Sequence, residues 1–131
     1  MILIDTDICI ELLRGNKHVL EERQKCEDSA AISIMTVGEL YYGAERSSNR
    51  LKNTNIIDQF IISVQVINTD LDILKKFGEL KAGLYNKNVL LPDADILIAS
   101  TAIIKCTKLI TGNSKHFNRF ENLVLENWIG G

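Results

Sequence analysis

The first apolar run of the chain, Ile2-Leu3-Ile4, ends abruptly in Asp5-Thr6-Asp7. A run this short, apolar throughout and closed by acids, reads as a buried strand. Ile8–Arg14 follows as a short helix stopped by Gly15-Asn16, and Val19–Cys26 suits a second helix. Ala31–Ile34 reads as the next strand, Val37–Glu45 and Leu51–Ser63 as helices, and Val64–Ile67 as a short strand. Leu71–Tyr85 places Leu71, Leu74, Phe77, Leu80 and Leu84 at helical spacing, with Asp70 available at its N-terminus. After the turn-like Asn86-Lys87-Asn88 and then Val89–Leu91, a helix is expected over Ala94–Ile104 and strands at Lys108–Thr111 and Leu123–Leu125.

Short apolar strands alternating with helices imply an α/β domain, a mainly parallel sheet of about five strands covered on both faces. In such sheets ligands sit beyond the carboxyl ends of the strands, near the point where strand order reverses. Asp5 and Thr111 directly follow or close their strands, so both belong to that edge.

Composition narrows the class. The 131 residues are 46% hydrophobic with mean hydropathy near zero, which fits one soluble globular domain spanning 1–131. No apolar run approaches the roughly 20 residues of a membrane helix, and no basic region precedes an apolar stretch as in a secretory signal. A cytoplasmic location is therefore expected. Cys9, Cys26 and Cys106 are odd in number and scattered, without a CxxC pair or a histidine at zinc spacing, so they read as reduced thiols. The formal net charge of −2 gives no bulk attraction for nucleic acid; any such function must come from a local site.

Four segments offer one: Asp5-Thr6-Asp7; Glu39 within IMTVGELYYG; Asp93 and Asp95 within LLPDADILIAS; and Thr111 with Asn113 in LITGNSKHF. Each also has a plain structural use. Thr36-x-x-Glu39 fits a capping box, Asp93 and Asp95 suit a helix first turn, and Thr111-Gly112-Asn113 suits a turn. Together they gather acids on one sheet edge, where carboxylates repel unless protonated or holding a cation. An oxygen-only set suits Mg²⁺ or Mn²⁺ rather than Zn²⁺, and such ions serve phosphodiester hydrolysis. A rival reading takes Asp5-x-Asp7 as the motif of haloacid-dehalogenase-like phosphatases, with Asp5 as the phosphoryl-accepting nucleophile. A third makes the acids mere organisers of a binding module.

The ordered segments LIDTDIC, ISIMTVGELYYG, PDADILIASTA, LITGNSKHF and LENW resemble the PIN-domain ribonuclease toxins of VapBC toxin–antitoxin pairs over nearly the whole chain. That resemblance implies a three-layer α/β/α domain and a Mg²⁺- or Mn²⁺-dependent endoribonuclease. It also implies a homodimer held inactive by a cognate VapB-type antitoxin, with transfer or ribosomal RNA as substrate. By position, Asp5, Glu39 and Asp95 match the family's metal-binding acids. Asn113 stands where the family has Asp or Asn, and Asp93 and Asp7 remain auxiliary acids or helix caps. Thr6 and Thr111 would support the acids by hydrogen bonding. Lys115, His116, Arg119 and Arg46 are candidate RNA contacts, while His18 reads as a solvated surface residue. Tyr41 and Tyr42 could stack on bases or pack against protein, and Trp128 would anchor the last strand.

Overall fold

A computed structural model describes residues 1–129. Five strands, β1 (Ile2–Ile4), β2 (Ala30–Ser33), β3 (Gln65–Ile67), β4 (Lys108–Ile110) and β5 (Leu125–Glu126), pair in the order β3-β2-β1-β4-β5, all parallel. Ile2 faces Ala30 on one side and Lys108 on the other, so β1 is the central strand.

The alternation of strand side chains builds two cores. Ile2, Ile4, Ile32 and Ile110 pack on one face against α1 (Thr6–Leu13), α2 (Lys17–Lys25), α3 (Ile34–Arg46) and α4 (Arg50–Ser63). Leu3, Ala31 and Leu109 pack on the other against α5 (Leu71–Asn86), α6 (Asp93–Lys105) and α7 (Ser114–Phe117). Both faces being covered explains why the central strand β1 is apolar at every position and why β2 and β4 carry consecutive apolar residues, Ala30–Ile32 and Leu109–Ile110, instead of alternating ones. The result is the three-layer α/β/α arrangement. Strand order reverses at β1, which sends its carboxyl end to the crevice where ligands of such sheets bind.

Two boundaries differ from the sequence reading in ways that matter. β2 runs into α3 without a loop: Ser33 ends the strand and caps the helix, its Oγ accepting from the Met35 amide at 3.0 Å. The expected capping box is therefore absent, and Thr36 lies inside the first turn, fully buried. At the other end, Leu123 turns back onto Phe120 through a 3.4 Å backbone hydrogen bond, so the last strand starts later, at Leu125. Trp128, 1% exposed, anchors it from the first core with its indole N–H donating to Glu126 at 2.5 Å. The three cysteines are free, Cys26 and Cys106 packing against opposite cores. Among the described residues no helix is long and apolar enough to cross a membrane.

Candidate active site

Asp5 is the single residue between β1 and α1. Its amide continues the sheet by donating to Ile110 O at 2.9 Å, and its side chain caps α1 by accepting from the Thr6 amide at 2.8 Å. The other carboxylate oxygen accepts from Thr111 Oγ1 at 2.8 Å. Only 6% exposed, the carboxyl is pushed up to about 7, chiefly by burial and then by Asp7, with Asp95 adding to the rise; its two hydrogen bonds pull the other way.

Asp7 was expected as an extra ligand or as the cap of α1. The cap is Asp5, because the chain enters the helix two residues earlier than read. Asp7 instead spans two segments, accepting from Ile8 N at 2.8 Å and from Gly112 N at 2.9 Å. Burial raises its carboxyl also, against the pull of these amides. A Cβ at Gly112 would stand 2.9 Å from Asp7 Oδ2 and 2.7 Å from Ile129 Cδ1, so the β4–α7 turn approaches α1 closely only because residue 112 is glycine.

Glu39 comes from α3. Thr6 Oγ1 donates to Glu39 Oε1 at 2.6 Å and lies 3.0 Å from Thr36 Oγ1. A hydroxyl has one proton, so with Thr6 committed to Glu39, Thr36 must donate to Thr6. Thr36 thus belongs to the support of Glu39, a role its reading as a cap concealed. Asp95, in the first turn of α6, places Oδ2 3.1 Å from His116 Nδ1, which is also 3.0 Å from Asn113 Nδ2.

Asp93 opens the same helix but its side chain, 64% exposed, pairs with Lys81 of α5 at 2.9 Å. It neither caps α6 through its side chain, since the cap position is Pro92, nor touches Asp5, Glu39 or His116 by hydrogen bond.

Asp5, Glu39 and Asp95 are the side chains that could hold a cation, with Asp7 beside them. Among the described residues no Lys or Arg comes within ion-pair distance of these four. Nor do any three Asp, Glu, His or Cys side chains converge closely enough, as placed, to hold an ion. The acids ring the crevice without closing on a point.

The basic candidates divide. Lys115 is exposed beside His116. Arg46 lies over the Tyr42 ring, 5.4 Å from its centroid, two turns beyond Glu39 on α3. Arg119 lines a separate recess of about 210 Å³ with Lys76 and Lys87, near Ile103 at the opposite end of α6 from Asp95. Tyr41 packs partly against the first core with its hydroxyl donating to Asp58, whereas Tyr42 is exposed; His18 is exposed as expected.

The PIN-domain family model matches residues 2–123. The chain belongs to the PIN-domain family, in its VapC ribonuclease branch. It is 34% identical to ribonuclease VapC2 of Rickettsia felis over 131 residues, covering 96% of each chain. It is 28% identical over 127 residues to the tRNA(fMet)-specific endonuclease VapC of Salmonella typhimurium, again with 96% of each covered. The solved structure of VapBC2 from R. felis bound to a promoter DNA fragment superposes with a TM-score of 0.90 at 31% identity, over 98% of this chain and 99% of that one. VapC membership makes the chain a ribonuclease of the toxin type and does not favour the phosphatase reading of Asp5-x-Asp7.

Proposed function

We propose that this VapC-type chain is a Mg²⁺- or Mn²⁺-dependent endoribonuclease whose ion is held by Asp5, Glu39 and Asp95. The observation that carries this reading is Asp5: a carboxyl 6% exposed, raised to about 7 by burial and neighbouring acids, with no basic side chain against it among the described residues. A fold that buries Asp5 beside the half-buried Asp7, with no Lys or Arg paired to either among the described residues, suits a cation. The donors are oxygens, which fits a hard divalent ion by chemistry.

When bound, such an ion lowers the pKa of the attacking water and offsets charge on the phosphodiester. The chain's own groups do the rest. Thr111 fixes one oxygen of Asp5 and the Thr6 amide the other, while the Thr6 hydroxyl fixes Glu39. Asn113 adds no charge and orients water or substrate through its amide. Lys115 meets the RNA backbone beside the crevice, a contact that weakens with salt.

The substrate class we favour is transfer RNA, because the S. typhimurium relative carries that specificity in its name. A VapB-type antitoxin is the partner, as in the R. felis complex. A groove of about 310 Å³ leads from Glu39 between α1, α3 and α4, lined by Ile10, Leu13, Leu40, Ala44 and Ile57. It suits an apolar antitoxin segment that delivers an Arg or Lys to the acids. Two copies of the chain are expected to form a homodimer.

The test is cleavage of total cellular RNA by purified protein with Mn²⁺, Mg²⁺ or EDTA. Metal-dependent cutting that is lost in Asp5→Ala and Asp95→Ala and kept in Asp93→Ala supports the reading. Identical RNA patterns from wild type and the first two variants would overturn it and leave a binding module.

A further inference from the structure

We infer that His116 is a positioning residue that holds the Asp95 carboxylate for the ion, rather than an RNA contact. The inference rests on the metal-dependent reading and refines it. It comes from a continuous hydrogen-bonded path between two acids that never touch each other directly. Thr111 Oγ1 donates to Asp5 and accepts from the Asn113 amide at 2.9 Å; the Asn113 side chain reaches His116; His116 reaches Asp95. The short β4–α7 segment therefore couples the end of β1 to the first turn of α6.

The path constrains the protons. His116 Nδ1 faces Asp95 Oδ2 at 3.1 Å, and a carboxylate can only accept, so Nδ1 must carry the hydrogen. Nδ1 then cannot also accept from Asn113; with the side-chain amide turned over, an exchange of near-identical atoms, the Asn113 oxygen shares the single Nδ1–H with Asp95. The neutral Nδ1–H tautomer and the imidazolium both present that hydrogen to Asp95. One Asp95 oxygen is occupied and the other left for an ion. This is the inverse of a histidine ligand steadied by a carboxylate, and outer partners of that kind control metal affinity.

The backbone makes the arrangement stiff. Phe117, the next residue, is fully buried and packs near Phe120 with ring centroids 6.5 Å apart, which pins α7 against the second core. Asn113 O also accepts from the His116 amide at 3.1 Å. The imidazole therefore reaches Asp95 from a fixed base, although its side chain is 42% exposed.

The experiment measures Mn²⁺ affinity by titration calorimetry on the purified full chain, without RNA, for wild type, His116→Ala and His116→Asn. Asn can place an N–H close to where Nδ1–H stood. We expect His116→Ala to weaken Mn²⁺ binding about tenfold or more and His116→Asn to recover most of it. Electron-spin-echo spectra of bound Mn²⁺ should show no histidine nitrogen coupling in wild type. Wild-type protein that binds no Mn²⁺ would remove the metal reading itself. Wild-type binding with unchanged affinity in His116→Ala would overturn the His116 inference alone. A nitrogen coupling would make His116 a direct ligand, and RNA affinity lost in EDTA with Mn²⁺ affinity intact would make it an RNA contact; either overturns positioning.

Discussion

Aspartates meet opposite fates in two regions of this molecule. Along the seam between α5 and α6, Asp70 lies 2.6 Å from Lys105 and Asp93 lies 2.9 Å from Lys81. Lys105 and the Ile73 amide hold Asp70 below its ordinary range. At the end of β1, among the described residues, Asp5 and Asp7 have amides, a hydroxyl and each other's carboxyl as partners, and burial pushes both carboxyls up. The chain has 15 Lys and Arg, so such residues were available, and among the described residues none of them pairs with the crevice acids, His116 at Asp95 being the one basic side chain there. The seam carries ordinary surface pairing, worth little. The crevice retains an electrostatic cost that only a proton or a cation relieves.

The largest break in that contrast comes from Asp5→Asn. Cleavage should fall about a thousandfold or more, because the variant loses a charged oxygen at the most buried of the acids. Stability of the metal-free protein should move the other way. A carboxyl raised from 3.8 to about 7 opposes folding at neutral pH by up to about 4 kcal/mol, and the neutral amide removes that term. Thermal unfolding in EDTA at pH 8 checks it: a variant less stable than wild type would mean that Asp5 is structurally required, not electrostatically strained.

Gly112→Ala comes next. The added methyl meets Ile129 and Asp7, and the expected cost is about 1–3 kcal/mol by denaturant unfolding. Moving the turn also drags Asn113 off His116, so cleavage should drop beyond what instability explains. An active, stable Gly112→Ala protein would show that the turn tolerates displacement and that the Asp7–Gly112 bond is dispensable.

The contrast also predicts how pH and metal act together. Asp5 binds its proton more tightly folded than unfolded, so its contribution to stability is full below about pH 4, declines as pH rises toward 7, and is flat beyond. A cation replaces the proton, so Mn²⁺ should raise the melting temperature more at pH 8 than at pH 5. Equal shifts at the two pH values would place the ion elsewhere.

How much of this was readable beforehand follows from the range of each interaction. The five parallel strands were legible because both faces are covered, leaving short apolar runs such as Ile2–Ile4 and Leu109–Ile110 with helices between. Asp5, Asp7, Glu39, Asp93 and Asp95 could be placed at the edge because strand ends and helix starts locate it, and the resemblance to the VapC-type toxins then singled out Asp5, Glu39 and Asp95. The roles of Asp7, Thr36 and His116 could not be read this way. They depend on contacts 105, 30 and 21 residues away in sequence, to Gly112, Thr6 and Asp95. Thr36-x-x-Glu39 even carried a misleading local pattern, because a helix cap and a tertiary hydroxyl relay use the same residue types. Gly112 between Thr111 and Asn113 was the one local hint that two backbones meet there.

The smallest expected effect is the sharpest control. Asp93 and Asp95 are two residues apart in one helix turn, carry the same charge and meet the same helix dipole. They differ in what they face: Asp95 turns to His116, and Asp93 turns outward to Lys81. Asp93→Asn should therefore change cleavage by less than about twofold and stability by less than about 1 kcal/mol, the scale of an exposed pair. Lys81→Met should match it, since both remove the same contact, and the double variant should be no worse than either single one. If Asp93→Asn instead abolished cleavage while Lys81→Met left it intact, the negative charge itself would be needed at the crevice. Asp93 would then join Asp5 and Asp95 in holding the ion, and the division between paired seam and unpaired site would have to be redrawn through the first turn of α6.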